Sequence, residues 1–177
     1  MVDSLATFPS PLGWVAVLGS GEVVRALTFA HPSAGAAEAA ILAHFGRHVV
    51  RKMWCPGLAR RIEVYLTGEP EDFRDVPVDP GPQTPFQARV TTCLRQVGWG
   101  STITYAELAR HAGFPNAARA VGNCLAANRI PLILPCHRVV GKGGRLGGFS
   151  APGGLATKRR LLALEGSLPR LAAASPE

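Results

Sequence analysis

The segment that most limits what this chain can fold into is 76–85, where Pro77, Pro80, Pro82 and Pro85 fall within ten residues beside Gly81. Proline inside a helix removes a backbone donor and collides with the preceding turn, and inside a central strand it breaks the ladder. No regular element crosses such a stretch, so it divides the chain. The expected organisation is an N-terminal α/β domain over 1–78, a linker over 79–84, a helical domain over 85–166 and a flexible tail over 167–177. With 177 residues, of which 47% are hydrophobic and 18% charged, the chain can bury a core as one domain or two.

The two sides of this divide differ in charge. Residues 1–84 carry seven Lys/Arg against nine Asp/Glu, whereas 85–177 carry twelve against three. The basicity therefore belongs to the second half. It fits a polyanionic partner, most simply nucleic acid, and equally a solvated basic surface. The start, Met1-Val2-Asp3-Ser4, has no basic secretory signature, and no apolar run approaches the ~20 residues of a membrane span. Cys55, Cys93, Cys124 and Cys136 have no C-x-x-C spacing. Free thiols in the cytoplasm are expected rather than a disulfide framework, with no membrane partner.

Local patterns fill in the two regions. Residues 14–18 and 23–29 are rich in β-branched and large apolar side chains, and Gly19-Ser20-Gly21 between them reads as a hairpin turn. Residues 34–45 and 58–66 read as helices, the second with Leu58, Ile62, Tyr65 and Leu66 on one face. Past the prolines, Thr84-Pro85 is an N-cap followed by proline at the first helical position, and Phe86, Val90, Cys93, Leu94 and Val97 keep helical spacing. Thr104 with Glu107 three residues on is a capping box. Gly113-Phe114-Pro115 breaks that short helix, and 116–128 resumes with Ala117, Ala120, Val121, Cys124 and Leu125 on its apolar stripe. Gly153-Gly154 precedes a last helix over 155–165. The fold class is thus α/β: a small sheet-plus-helix region, then a helical domain with a winged-helix-like helix-turn-helix.

Chemistry concentrates at Pro135-Cys136-His137-Arg138-Val139-Val140. A thiol attacks as the thiolate, and a neighbouring base or cation promotes that form. His137 and Arg138 offer one of each, although adjacent residues of an extended segment point apart, so a water bridging His137 to the sulfur is an alternative to direct contact. An imidazole acting as base needs an acceptor on its other N–H, and Glu165 is the best-placed acid of the basic half. Cys93 and Cys124 fall on apolar helix stripes and read as inert core thiols, and a buried structural cysteine is also a reading of Cys136. On the second helix of the pair, Arg119, Asn123 and Ala126 share one polar face of small residues and a single long cation, which suits approach to a duplex or a plain solvated face. His44 and His48 lack companion ligands, so no metal is expected.

The run Asn116, Ala117, Ala118, Arg119, Ala120, Val121, Gly122, together with Tyr105, Asn128, the Pro-Cys-His-Arg-Val block and the stretch from Gly153 to Lys158 and on to Glu165, resembles the O6-alkylguanine-DNA alkyltransferases, the methylated-DNA–protein-cysteine methyltransferases. The resemblance covers about 84–166. It implies direct reversal of DNA damage, with Cys136 taking an alkyl group from guanine O6, less readily from thymine O4, once and irreversibly. It also implies that His137 accepts the thiol proton through water, that Glu165 holds His137, and that Tyr105 donates to guanine N3. Arg119 would fill the gap left by a flipped base, with Ala117, Ala118, Asn123 and Thr104 also at the DNA. Val139, Phe149, Ser150 and Lys158 would surround the base, and Asn128 would tie the recognition helix to the Cys136 segment. Double-stranded DNA bound in the minor groove with little sequence dependence is the implied partner. No cofactor is implied, and a monomer is expected.

Three departures stand out: Phe149 where many relatives have Tyr, an apparent Ala151-Pro152 insertion, and Ala126 in place of a basic residue. Two rivals remain at this stage. One is a damage-binding protein that flags lesions without chemistry. The other is a cysteine hydrolase built on Cys136, His137 and Glu165.

Overall fold

The structure, a computed structural model, describes residues 2–46 and 48–168. The tail expected over 167–177 therefore lies outside the described residues from 169 onward.

The first region is a four-stranded sheet. Its strands β1 (Asp3–Phe8), β2 (Trp14–Ser20), β3 (Val23–His31) and β4 (Val49–Arg51) lie in the order β3-β2-β1-β4, antiparallel except for the parallel β1–β4 pair. The turn from β2 to β3 falls on Gly21 and Glu22, one residue later than the glycine-rich stretch suggests, with Gly21 at φ 61. Helix α1 (Ala34–Phe45), capped by the Ser33 side chain on the Ala36 N–H, covers one face. Leu5, Ala16, Leu18 and Ala26 meet Ala37 and Ile41 there. The other face, with Ala6, Phe8, Val15, Val17, Leu27 and Phe29, belongs to a larger core cluster. Both faces are thus covered, which is why β2 reads as a continuous apolar run rather than an alternating one.

That larger cluster crosses the proline segment. It joins the sheet to Ile62 and Tyr65 of α2 (Pro56–Tyr65), to Val90 and Leu94 of α3 (Pro85–Leu94), and onward to Leu108, Val121 and Leu161. The proline segment is not slack. The Val24 N–H donates to the Pro77 carbonyl (2.9 Å) and the Asp79 N–H to the Val24 carbonyl (2.8 Å), so 77–79 runs along the edge of β3. A proline is tolerated there because an edge needs fewer donors.

The second region is not purely helical. After α3 come β5 (Ile103–Thr104), α4 (Tyr105–His111), α5 (Ala118–Ala126), β6 (Val139–Val140) and α6 (Gly154–Leu164), with β5 and β6 forming a short parallel pair. Both threonine caps are complete capping boxes, Thr84 with Gln87 and Thr104 with Glu107. Each satisfies two donors that a helix start leaves free. Gly153 caps the start of helix α6 at φ 80, where a Cβ would also strike the Thr157 side chain. A glycine is required there twice over.

Candidate active site

Cys136 is on a single 3-10 turn, Cys136–Arg138, rather than on an extended strand. The whole stretch 131–140 is buried, which is unusual for a segment holding a histidine and an arginine. In a 3-10 turn successive side chains are about a third of a turn apart, so Cys136, His137 and Arg138 face three directions. The sequence-based picture of Arg138 as a cationic neighbour of the thiol does not hold. Its guanidinium turns away and ends on two carboxylates.

Those contacts make the ground behind the thiol densely ionic. Arg138 Nε donates to Glu165 Oε2 (3.0 Å), its Nη2 to Glu165 Oε1 (2.9 Å), and its Nη1 to Asp72 Oδ1 (3.0 Å) and the Val97 carbonyl (2.6 Å). His137 Nε2 is 2.8 Å from Glu165 Oε1. The Tyr65 hydroxyl donates to the same oxygen at 2.7 Å and lies 3.1 Å from His137 Nε2. A carboxylate accepts only, so the imidazole proton is on Nε2. His137 Nδ1 is buried and has no hydrogen-bond partner among the described residues.

Ionisation follows from these surroundings. Burial pushes the Glu165 carboxyl up, but His137 and Arg138 outweigh it and hold the carboxyl at about 2. Burial pulls His137 below its usual value against the opposing pull of Glu165, so the imidazole is neutral. Burial pushes the Cys136 thiol up, while the Asn128 side chain and the Lys158 ammonium pull it back. Lys158, not Arg138, is the cation that acts on the sulfur. A buried thiol that stays protonated needs a base to ionise it.

In front of the thiol lies a cleft of about 550 Å³. Cys136 is 6% exposed and lines it, with Tyr105 from α4, Arg119, Asn123 and Ala126 from α5, and Gly147 to Ser150 from the loop after β6. Tyr105 closes against that loop so tightly that a Cβ on Gly147 would fall 2.8 Å from its ring Cε2. Arg119 and Asn123 are exposed at the lip, and Ala118, half-buried, is also part of the lining. Ala120, expected on the apolar stripe of α5, is exposed instead, and the helix buries Val121 and Leu125.

The other residues singled out in the sequence stand behind the wall. Lys158 is fully buried and donates to the Val139 carbonyl (2.6 Å) and the Gly147 carbonyl (3.5 Å), holding the Cys136 segment to the loop. Val139 is fully buried beside it. Asn128 Nδ2 donates to the Leu134 carbonyl (2.9 Å), and its Oδ1 accepts the Ile130 N–H (3.0 Å). Asn128 thus ties the end of α5 to the approach to Cys136. Thr104 caps α4, and Ala117 is half-buried at the α5 start; neither lines the cleft. The Ala151-Pro152 step forms a turn, with the Gly154 N–H on the Ala151 carbonyl (2.9 Å) and the Thr157 hydroxyl on the Pro152 carbonyl (2.5 Å).

The chain is similar to known proteins in sequence and in fold. Residues 85–167 match the family described as 6-O-methylguanine DNA methyltransferase, DNA binding domain. The methylated-DNA–protein-cysteine methyltransferase of Haemophilus influenzae is 35% identical over 166 residues, 89% of this chain and 83% of that protein. The protein of the same name from Mycobacterium tuberculosis is 35% identical over 167 residues, 91% of each chain. The chain belongs to the methylated-DNA–protein-cysteine methyltransferases. The crystal structure of Mycobacterium tuberculosis OGT in complex with DNA superposes on this methyltransferase with a TM-score of 0.77 at 35% identity, covering 93% of both chains. The O6-methylguanine-DNA methyltransferase of Pyrococcus kodakaraensis gives 0.70 at 27% identity, covering 93% of this chain and 99% of that one.

Sequence reasoning missed Tyr65 and Asp72. Both lie before residue 85, outside the matched DNA-binding domain, yet both bond to its buried ions. Tyr65 carried a signal only as an apolar-face residue of a helix. Its hydroxyl partners are 72 and 100 positions away in the chain.

Among the described residues no helix is long and apolar enough to cross a membrane.

Proposed function

We propose that this methyltransferase repairs O6-alkylguanine in DNA by moving the alkyl group to Cys136, with O4-alkylthymine a poorer substrate. The observation that carries the reading is the position of Cys136: a buried thiol reachable through a cleft that the exposed face of α5 overhangs. Guanine O6 lies inside the duplex, so the base must be rotated out to reach such a thiol. Helix α5 presents Ala118, Ala126 and the exposed Arg119 toward the minor groove, and Arg119 occupies the space the base leaves.

In the transfer step the thiol proton passes through a water to His137 Nδ1, the nitrogen with no protein partner. Sulfur then forms the bond to the alkyl carbon as the carbon–O6 bond breaks, and the electron pair stays on guanine. Tyr105 donates a hydrogen bond to guanine N3 as that charge develops. Glu165, held ionised, steadies the imidazolium. The thioether is not reversed, so each molecule acts once and needs no cofactor. The chemistry needs a reduced thiol, and the cytoplasm is the compartment that keeps one reduced. The glycine-lined cleft beside α5, with Arg119 at its lip, favours a flipped base over the peptide substrate of a cysteine hydrolase, and Cys136 distinguishes the protein from one that only flags damage.

The test is on the DNA. A duplex carrying O6-methylguanine is incubated with increasing protein, and the remaining lesion is measured after digestion to nucleosides. Restoration of one guanine per protein molecule, with no turnover at longer times, is expected. Bound but unaltered lesion would instead support damage flagging, and turnover would rule out a single-use thiol.

A further inference from the structure

Tyr65 is the last residue of α2, is fully buried, and is the one side chain among the described residues of the first region that meets His137 by a hydrogen bond. Its ring is clamped edge-on by Phe73 (centroids 5.5 Å apart) and Trp99 (5.3 Å). That leaves its hydroxyl little freedom, and the hydroxyl stands at the meeting point of Glu165 Oε1 and His137 Nε2, 2.7 and 3.1 Å away. A phenol has one proton to donate. The ionised carboxylate takes it, and the oxygen lone pairs are left facing the imidazole N–H.

We propose that the Tyr65 hydroxyl is a positioning group for His137: with Glu165 it forms a two-acceptor seat for the Nε2–H, which fixes the tautomer and leaves Nδ1 as the base. This rests on the alkyl-transfer reading of Cys136. Glu165 by itself is a poor seat, because Oε1 also accepts from Arg138 Nη2 (2.9 Å) and Nε (3.2 Å). Arg138 draws the carboxylate toward itself, and the Tyr65 hydroxyl, reaching from α2, keeps Oε1 on the imidazole. The opposite tautomer would set an imidazole lone pair against a carboxylate lone pair, and Tyr65 could relieve that only by abandoning Glu165. Once His137 takes the thiol proton, the same two acceptors face the imidazolium. The charged and titratable groups around it are then Glu165 and Lys158 from α6, Arg138 and Cys136 from its own turn, and Tyr65 from α2.

The variant Tyr65→Phe removes the hydroxyl and keeps the ring against Phe73 and Trp99. Two readouts are combined: single-turnover transfer from an O6-methylguanine duplex, and the nitrogen NMR shifts of His137 in protein labelled with 15N-histidine. The wild type is expected to show one Nε2–H tautomer. In Tyr65→Phe the His137 nitrogens should move toward a mixed pattern, transfer should slow about tenfold, the loss of one hydrogen bond to a charged group, and DNA affinity should be unchanged. Unchanged His137 shifts would overturn the proposal even if transfer slows, since a packing role alone predicts that result. Should Tyr65→Phe fail to fold, 3-fluorotyrosine placed at position 65 keeps the hydroxyl and is expected to retain the single Nε2–H pattern. A mixed pattern there would also overturn it. If the wild type transfers no alkyl group yet its tautomer depends on Tyr65, the positioning stands and the functional reading fails.

Discussion

The two sides of Cys136 are built from opposite materials. Behind it, His137, Glu165, Arg138, Asp72 and Tyr65 form a bonded cluster in which all but Asp72 are buried. In front, the cleft wall is Gly147, Gly148, Phe149, Ser150 and the Tyr105 ring, with Arg119 the one cation among the described residues that line it. The back can hold a proton and stabilise charge without solvent, where electrostatic interactions are strong. The front offers space and shape to a flat, neutral base. The contrast separates two tasks: the back sets the reactivity of the thiol, and the front decides what reaches it. Changes behind Cys136 should therefore alter transfer from any substrate, and changes in front should alter transfer in a manner that depends on the DNA.

The largest effect is expected from Glu165→Gln. It leaves Arg138 buried without its main counter-ion, which should cost about 3 kcal/mol in chemical denaturation. It also removes the carboxylate from His137, and transfer should fall about a hundredfold on single- and double-stranded substrates alike. The pH dependence has a definite sign. Glu165 is held at about 2 in the folded state, below the ~4.3 of an unfolded carboxyl. Its stabilisation is complete above the unfolded value and is lost as pH falls toward the folded one. His137 is also depressed, so its contribution likewise declines on acidification below about 6.5. Acid titrations of stability should show that the wild type loses more than Glu165→Gln does between about pH 5 and 2.

Gly147→Ala tests the front. The added Cβ would meet Tyr105 Cε2 at 2.8 Å and force that ring from the wall. A stability loss of about 1–3 kcal/mol is expected. Transfer should fall about tenfold through misplacement of the base. The His137 titration, followed by NMR, should stay as in the wild type. A shift in that titration would show that front and back are coupled.

The smallest effect on the fold is expected from Arg119→Ala, an exposed residue whose loss should leave stability within about 0.5 kcal/mol. Its transfer defect, about tenfold, should appear on duplex and largely vanish on single-stranded DNA, where no gap needs filling. An equal loss on both substrates would make Arg119 a simple phosphate contact, with the salt dependence of binding reduced by about one ion.

Much of the front was legible in the sequence because it is local. The Thr104–Glu107 capping box, the break at Gly113, and the α5 face of Arg119, Asn123 and Ala126 are short-range patterns with period-3.6 consequences. Cys136, His137 and Glu165 were legible through residue type and scarcity: few acids lie in the second half, and one ends α6. The rest of the back was not. The 3-10 turn that swings Arg138 off the thiol depends on a buried loop, and nearness in sequence pointed to the wrong cation. Tyr65 and Asp72 enter through contacts 66 to 100 residues apart. Strands β1 and β4 escaped notice because β1 is short and mixed, and β4 is only three residues paired in parallel with it. The proline segment was legible as a divide, while its pairing along β3 needed the fold.

The most direct test of the central claim is to find where the alkyl group goes. After reaction with an O6-methylguanine duplex, the protein is digested and the peptides holding Cys55, Cys93, Cys124 and Cys136 are weighed. The added mass of one methylene on the Cys136 peptide, absent from the other three and from the Cys136→Ala protein, is the predicted result. The methyl group on another cysteine, or its retention when Cys136 is replaced, would contradict it.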